Sequence, residues 1–503
     1  KRSHAKKIES QWVLINLNFI IKKDSKQIKF FIHNEKTLPA YYDDLKIELL
    51  NKPTRPVFKK ENIGIQIKSK DLDKLFKYRD KAIQNGVIGK SLKKYFRGIM
   101  VYNKEKIPIK IRLKGDWVDH LSGDKWSFRI KILGDKDFKG MKAFSIQHPK
   151  TRSFLKEWIM HKIFKDENIL TTRYGFITAS LNGNNLGIYA YEEHFSKELL
   201  QHNNKMEAPI LKFNEEGIWQ TRLNNPKNKN LYPFFEASDI IPFQKKSILS
   251  SENLKKDFEK GFKLMTKYKE FNGDLEDIFD LNYTAKLYAL YDIGKIRHSY
   301  HWHNQRFYYN PKENKLEHIA FDCYAGIEEG IEDVIYGYSE KNSYDFKMTY
   351  LSKQFFNNDL FVANYKKFLD KFSNEEYLTN IINKYSTSSD SLNTILKYEF
   401  QDYKFDINYL IDNAKAVREL LSSYTSNHNF LVKPIKYDYA SVENNYFPSI
   451  GIKANKHVHD ENELVLKIKN FHLDTVYLIG HSIEGKNNSI VKFKDSILIT
   501  PFQ

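Results

Sequence analysis

The sequence has little cysteine and no long apolar run. Cys323 is the only cysteine among 503 residues, which excludes an intrachain disulfide and a zinc framework built on cysteines. No run approaches the roughly 18 apolar residues that a membrane span requires. The chain also has no repeat and no recognised nucleic-acid motif, so we expect no nucleic-acid partner.

Positive charge and aromatic residues are abundant. The chain has 81 Lys and Arg against 63 Asp and Glu, a formal net charge of +18. This surplus favours anionic partners such as nucleotide phosphates, acidic polymers or anionic lipid. The lysines are scattered singly, so a solubilising surface is the alternative. Hydrophobic residues make up 41% and aromatic residues 15%, enough for a sizeable core and against global disorder.

The two ends of the chain raise the question of what lies beyond them. The first residue is Lys1 rather than Met, and the last residues, ILITPFQ, form an apolar run. We therefore expect further residues on both sides, and an export signal or a membrane anchor could lie there.

Apolar periodicity divides the chain into alternating β-rich and helical parts, which predicts the α+β class. The predicted parts are a β-rich extension over 1–60, a β-rich lobe over 61–215, a helical lobe over 216–432 and a C-terminal β module over 433–503, which we expect to be truncated. A β-rich lobe followed by a helical lobe is the layout of a two-lobed, protein-kinase-like core that holds nucleotide between its lobes.

Local patterns predict the individual elements. They are two strands within 11–33, a helix over 71–86, two strands within 107–133, a helix over 153–168, a hairpin over 173–193, a strand over 208–213, and helices over 252–271, 281–296 and within 358–425. Gly86 should close the first helix and Ser153 should cap the second. We expect residues from about 100 to 215 to form one antiparallel sheet with the second helix packed on it.

Residues 298–326, HSYHWHNQRFYYNPKENKLEHIAFDCYAG, contain a predicted β-hairpin over 305–321. Its strands are QRFYYN and KLEHIAF, and NPKENK is the turn. Asn304 begins the first strand and Asp322 ends the second, so the hairpin should bring their side chains together. Amide and carboxylate oxygens suit Mg²⁺. An Asn cap and a turn Asp without metal are the alternative.

Phosphoryl transfer also needs a cation on the nucleotide phosphates, and in two-lobed kinases this cation is a strand Lys held by a helix Glu. Lys125 begins KWSFRIKI, and Glu157 lies early in the next helix. We expect these two side chains to point into the same cleft and to form an ion pair, either directly or after the lobes close. Lys114, in RLKGD, is the rival for the role. Solvated charges at strand ends are the alternative.

Three histidines precede the hairpin and allow a different chemistry. His301 and His303 are two residues apart and share a face of an extended segment, and His298 could reach the same point. Three imidazoles with one open position form a zinc site of the catalytic type. Core or hydrogen-bonding histidines are the alternative.

Seven stretches match a known family in the same order. They are RLKGD, KWSFRI, GMKAFSIQHP, FLKEWIMHKIF, LNGNNLGIYAYEEHF, LYALYDIGKIRHSYHWHNQRFYY and LEHIAFD, within roughly residues 105–325. Together they resemble the spore-coat-protein-H-like (CotH) family of atypical kinases. The resemblance implies a protein-kinase-like fold, ATP with Mg²⁺ or Mn²⁺, and phosphorylation of Ser or Thr in secreted or surface proteins.

The resemblance also implies roles for single residues. The roles are nucleotide binding by Lys125 and Glu157, a place at the lobe junction for Glu192 and Glu193, and metal binding by Asn304 and Asp322. Two departures from the family pattern follow. Where the family has an Asp shortly before the Asn, this chain reads HSYH over 298–301, and where the family has Asp-x-Asp, it reads DCY.

The missing Asp changes the expected catalytic loop. A histidine can orient or deprotonate a hydroxyl, since its pKa lies near neutrality. We therefore assign this role to His298 or His301, with His298 preferred. His303 directly precedes Asn304, and we expect it to fix the rotamer of that side chain.

The leading prediction is a kinase with a divergent catalytic loop. It would transfer the ATP γ-phosphoryl group to a hydroxyl of a secreted or surface protein, or of a surface polymer. One alternative is a pseudokinase scaffold that binds an envelope or extracellular partner, and the second is a zinc-dependent hydrolase that uses the histidines. The expected location is extracytoplasmic, either secreted or anchored in the envelope.

Overall fold

The computed structural model describes residues 61–224, 235, 238–324, 351–421, 452–458, 464–470, 475–481 and 491–500. The strands expected within 11–33 lie outside the described residues. Among the helices that are described, none combines the length and the apolar character needed to cross a membrane.

The β-rich half closes into a seven-stranded barrel. Its strands are β1 (Asn62–Ile67), β2 (Phe96–Tyr102), β3 (Glu105–Leu113), β4 (Phe128–Ile132), β5 (Ala143–Gln147), β6 (Tyr174–Leu181) and β7 (Asn184–Glu193). The order around the barrel is β1-β2-β3-β4-β5-β7-β6. All neighbours pair antiparallel except β1 and β6, whose parallel pairing closes the barrel.

The barrel corrects the prediction of one antiparallel sheet from about 100 to 215. The sheet already begins at Asn62, because β1 carries the alternating apolar pattern of a half-buried strand, with Ile63, Ile65 and Ile67 buried. Its parallel partner, β6, starts more than a hundred residues later. A sequence pattern predicts a strand but does not show such a distant partner.

Strand alternation gives the barrel two different faces. On β3 the side chains of Ile107, Ile109, Ile111 and Leu113 are buried in one apolar cluster with the inward residues of the other strands. The residues between them point to the opposite face. On β6 and β7 that opposite face, for example Ile188, belongs to a second apolar cluster, which the helical part shares.

The first two helices were predicted with unequal success. Helix α1 (Ser69–Asn85) ends at Gly86, whose φ of +74° is the left-handed conformation that favours glycine, and this confirms the prediction. Helix α2 (Leu155–Asp166) begins two residues later than expected. The predicted cap by Ser153 is wrong, because Ser153 closes a short 3₁₀ turn, Pro149–Arg152, and the helix has no side-chain cap.

A second sheet has four strands in the order β11-β10-β8-β9. They are β8 (Ile210–Phe213), β9 (Ile240–Pro242), β10 (Arg306–Asn310) and β11 (Lys315–His318). Strands β10 and β11 are the predicted hairpin, which is confirmed. We expected the strand at 208–213 in the same sheet as 107–133, but β8 pairs with β10 instead.

The remaining helices and strands of the described residues are nine helices and two pairs of strands. The helices are α3 (Lys197–His202), α4 (Glu216–Asn224), α5 (Lys245–Leu249), α6 (Glu252–Lys269), α7 (Leu275–Ile278), α8 (Leu281–Ile293), α9 (Asp359–Phe372), α10 (Glu375–Glu399) and α11 (Tyr409–Leu421). Towards the C-terminus, β12 (Ile452–Val458) pairs with β13 (Leu464–Asn470), and β14 (Val476–His481) pairs with β15 (Val491–Ile499), both antiparallel. The chain is therefore a mixed α/β protein with a barrel.

One buried histidine stands out in the second apolar cluster. His318, at the end of β11, is only 4% exposed and stacks on Phe279, with ring centroids 5.3 Å apart. Phe307 contacts it from another side, at 4.7 Å. Neither ring nitrogen has a hydrogen-bond partner among the described residues. Burial lowers the pKa of His318 to about 3.

We expect His318→Phe to raise the free energy of unfolding by about 1–3 kcal/mol, because an unsatisfied buried polar group costs that much and the new ring keeps the aromatic contacts. Unfolded His318 takes up a proton below about pH 6.5, whereas the folded chain resists protonation down to about pH 3. The stability that the variant gains over the wild type should therefore grow as the pH falls from about 6.5 to about 3. Urea unfolding at neutral and at mildly acidic pH measures this difference, and a variant that is less stable than the wild type at both pH values would contradict the prediction.

Candidate functional site

The candidate site starts at the end of β3, where Lys114 leaves the barrel. Its side chain is 8% exposed. The Nζ atom lies 3.0 Å from Oε2 of Glu192 on β7 and also donates to Gln147 on β5. Burial lowers the pKa of Lys114, and Glu192 offsets part of this effect. Burial alone would raise the pKa of Glu192, but Lys114 and Arg152 hold it below its ordinary value.

A second ion pair lies beside the first. Arg152, in the turn before α2, pairs with the carboxylate of Asp322. Both side chains are buried. Burial alone would raise the pKa of Asp322, but Arg152, together with His298 and Lys114, holds it well below its ordinary range. Asp322 is therefore a carboxylate at any physiological pH, as a ligand for a divalent cation must be.

Glu157 on α2 positions the chain around Asp322. It is fully buried, and its oxygens accept hydrogen bonds from the backbone N–H groups of Cys323 (3.1 Å) and Tyr324 (3.2 Å). His161 lies 3.1 Å from the same carboxylate. Asp322 itself has a φ of +54°, which is uncommon for a non-glycine residue. Glu157 therefore fixes the strained turn that presents Asp322.

His298 connects Asp322 with Asn304. Its Nδ1 atom lies 3.1 Å from the backbone oxygen of Asp322 and 3.5 Å from Oδ1. Its Nε2 atom lies 3.1 Å from Nδ2 of Asn304, which also donates to the His298 backbone oxygen. Burial alone would lower the pKa of His298, but the Asp322 carboxylate raises it above its ordinary value.

The hairpin ends differ from the prediction in detail. Asn304 lies in a 3₁₀ turn, Trp302–Asn304, just before β10, and Asp322 follows β11 after a short extended segment. The structure brings both side chains to His298. We expected His303 to orient Asn304, but among the described residues the Asn304 amide forms its hydrogen bonds with His298. Because both use Nδ2, they leave Oδ1 uncommitted.

Three histidines cluster here. One ring nitrogen from each of His298, His301 and His303 lies within 4.8 Å of the others. His303 is buried, and burial together with His301 lowers its pKa to about 3. The cluster adjoins the Asp322 site through His298, which belongs to both.

Lys125 lies outside this site, so the predicted Lys125–Glu157 ion pair is not formed. Lys125 is 5% exposed and pairs at 2.7 Å with Glu399, the last residue of α10. It also donates to the backbone oxygens of Leu186 and, at 3.0 Å, of Ile188 on β7. Glu399 accepts from the Ile188 N–H at 2.6 Å. Lys125 therefore ties the barrel to a helix far away in sequence.

Two adjacent glutamates take different positions because neighbouring strand residues face opposite ways. Glu192 joins Lys114, as described. Glu193 pairs with Arg173, whose Nε lies 2.9 Å from Oε2, and it accepts from the Arg173 backbone N–H as well. Glu193 therefore contacts Arg173 and not the Lys114 cluster.

Sequence reasoning missed Arg152 and Gln147. Arg152 stands in HPKTRSF, a turn between a strand and a helix, where no periodic pattern marks it. Gln147 ends β5, and strand alternation puts it on the same barrel face as Ser145. The polar residues on the outward face of β5 were the only sequence feature that could have indicated Gln147 as a site residue.

Comparison with known proteins identifies a family. A family model described as CotH kinase protein matches residues 111–428, more than half of the chain. The matched region contains every residue of the cluster described above. A search of curated proteins finds no match.

We expect Lys125→Met to lower the free energy of unfolding by about 3–5 kcal/mol, because it removes the cation that faces the buried carboxylate of Glu399. Adding Glu399→Gln should recover part of this loss, with a coupling of about 0.5–3 kcal/mol in a double-mutant cycle measured by urea unfolding. Lys136→Met is the matched control, since the Lys136–Glu105 pair is 2.9 Å long but about half exposed. A Lys125→Met chain as stable as the control would refute the structural role.

Proposed function

The chain belongs to the CotH kinase protein family, and on this premise we propose that it transfers the ATP γ-phosphoryl group to a hydroxyl group. The observation that carries the proposal is the buried cluster of Lys114, Glu192, Arg152 and Asp322, to which His298 connects Asn304. In this proposal the barrel and the helical part correspond to the two lobes of a kinase-like core.

The residues of the cluster fit a nucleotide with a divalent ion. Phosphoryl transfer needs cations on the phosphates and hard oxygen ligands on the metal. Lys114 and Arg152 are the cations. Asp322 stays ionised, and the Oδ1 atom of Asn304 is free of the bonds described, so these two would hold Mg²⁺ or Mn²⁺. In the structure described here, Arg152 supplies the countercharge that such an ion would supply.

Lys114 takes over the role first expected of Lys125. In the described arrangement Lys114 and Glu192 belong to the same cluster as Asp322. Lys125 instead pairs with Glu399, and Glu157 accepts hydrogen bonds from the turn after Asp322. All four charged groups of the cluster are buried. Nucleotide entry therefore requires the barrel and the Asp322 turn to move apart.

His298 is the proposed group that orients the acceptor hydroxyl. The neighbouring carboxylate raises its pKa, which makes the neutral imidazole a stronger base. Its two hydrogen-bonding contacts fix the ring relative to both metal-binding residues. His301 is kept as the second candidate because it lies in the same cluster.

The acceptor and the location rest on the family resemblance and on composition. We propose a secreted or envelope-anchored protein that phosphorylates a surface protein or polymer, and the net charge of +18 suits an acidic partner. A pseudokinase scaffold would bind ATP without turnover. A zinc-dependent hydrolase, favoured by the three clustered imidazoles, would require zinc for its activity.

We expect Lys114→Met to abolish the Mg²⁺-dependent thermal shift caused by ATP, because the variant loses the buried cation next to Asp322. Since the change leaves Glu192 unpaired, the double variant Lys114→Met/Glu192→Gln should fold more stably and still give no shift. Lys106→Ala, an exposed lysine on the same strand, is the control. A shift lost in Lys125→Met and kept in both Lys114 variants would return the role to Lys125.

We expect His298→Ala to keep ATP binding and to lower ATP consumption by about 10²–10⁴-fold, the usual contribution of a general base. The base works in its neutral form, so a raised pKa moves the acidic fall in activity to a pH above about 6.5, the ordinary value for histidine. A pH–rate profile of the wild type and of His301→Ala completes the test. A loss of turnover in His301→Ala alone would transfer the role to His301.

A further inference from the structure

The three histidines before the hairpin offer a second metal site, distinct from the pair Asn304 and Asp322. The ring centroids of His298 and His301 are 5.3 Å apart, those of His301 and His303 are 5.6 Å apart, and those of His298 and His303 are 6.4 Å apart. Their nearest ligand nitrogens lie within 4.8 Å of one another. Nitrogens bound to one tetrahedral zinc ion at about 2.0–2.1 Å lie about 3.4 Å apart, so ring movements of up to about 1.4 Å would bring the three nitrogens onto one ion.

His303 independently indicates a missing ligand. It is about nine-tenths buried, and its Nδ1 atom has no hydrogen-bond partner among the described residues. An unsatisfied buried nitrogen is unfavourable, and coordination of an ion would satisfy it.

The ligand type selects the class of metal. Imidazole nitrogens prefer Zn²⁺, Co²⁺, Ni²⁺ and Cu²⁺, whereas Mg²⁺ and Ca²⁺ prefer oxygen. A second group, Glu157, His161 and Cys323, also has closely spaced ligand atoms. Both Glu157 oxygens there already accept backbone N–H groups, so that group is explained as a hydrogen-bonded support for Asp322.

Binding at the histidines must affect the neighbouring site. Both ring nitrogens of His298 have partners, namely the backbone oxygen of Asp322 and the amide of Asn304. An ion that binds either nitrogen replaces one of these contacts. The two sites therefore share the side chain of His298. An ion bound at the histidines disfavours the arrangement in which His298 contacts both Asp322 and Asn304.

We propose that His298, His301 and His303 form a binding site for a zinc-class ion, and that this ion inhibits phosphoryl transfer by withdrawing His298 from Asp322 and Asn304. The inhibition rests on the proposed kinase function, whereas the metal site itself does not. The site thus makes the enzyme sensitive to zinc while Mg²⁺ or Mn²⁺ supports turnover.

Metal binding is tested first on the metal-depleted full chain. Titration with Co²⁺, followed by its visible absorption, and equilibrium dialysis with Zn²⁺ should show one bound ion per chain. His303→Ala should lower the affinity at least about tenfold, since it removes one of three ligands. His202→Ala, on α3 and outside the cluster, is the matched control. Equal binding by wild type and His303→Ala, or no binding at all, overturns the site.

Inhibition is tested next with Mg²⁺–ATP. Because Zn²⁺ also binds ATP in solution, each chain is compared with its own zinc-free rate, and the His303→Ala chain measures the effect that does not depend on the site. Zinc should inhibit the wild type at least about tenfold more strongly than His303→Ala, in line with the affinity difference. Equal inhibition of the wild type and of His303→Ala overturns the proposed competition. Activation of ATP hydrolysis by zinc overturns it as well.

The two proposals fail in different ways. A chain that binds Zn²⁺ through these histidines but never binds ATP supports the metal site and overturns both the kinase and the competition. A chain that binds and consumes ATP but binds no Zn²⁺ overturns the metal site and supports the kinase.

Discussion

The site depends on the buried carboxylate of Glu157. Asp322 adopts a left-handed backbone conformation, which costs free energy in a non-glycine residue. The hydrogen bonds from the next two backbone N–H groups to Glu157 hold this turn in place. Glu157 belongs to α2, which contacts β6 of the barrel. Through α2, the barrel that carries Lys114 therefore also fixes the position of Asp322, although Lys114 and Asp322 are far apart in sequence.

The charges at the site balance one another in pairs. Lys114 faces Glu192, and Arg152 faces Asp322, all four buried. Buried ion pairs add little net stability, because desolvation cancels most of the attraction, yet removing one partner is costly. Such pairs are thus better suited to exchanging partners than to stabilising a fold. In the proposed function, phosphate oxygens would take the place of the carboxylates at Lys114 and Arg152, and a divalent ion would take the place of Arg152 at Asp322.

Periodicity and turn residues predicted the elements whose formation depends on residues that are close in sequence. The strands around 107–133, helix α1 with Gly86, and the hairpin after Asn304 all follow from periodicity and turn residues. The parallel pairing of β1 with β6 and the partner of Lys125 did not follow, since each joins residues more than a hundred positions apart. Strand alternation explains why Lys114 and Glu192 share a barrel face, but only the closed sheet shows that they touch.

A histidine rather than an Asp at position 298 has two physical consequences. A carboxylate at 298 would lie next to Asp322 and repel it, whereas the imidazole of His298 is attracted and has its pKa raised. The same nitrogens that can accept a proton can also bind a zinc-class ion, and His301 and His303 stand within reach to complete the ligand set. In the two proposals made here, the imidazole that serves as the base therefore also exposes the site to competition by metal. A carboxylate in that position would bring no imidazole next to the other two, so both properties follow from one side chain.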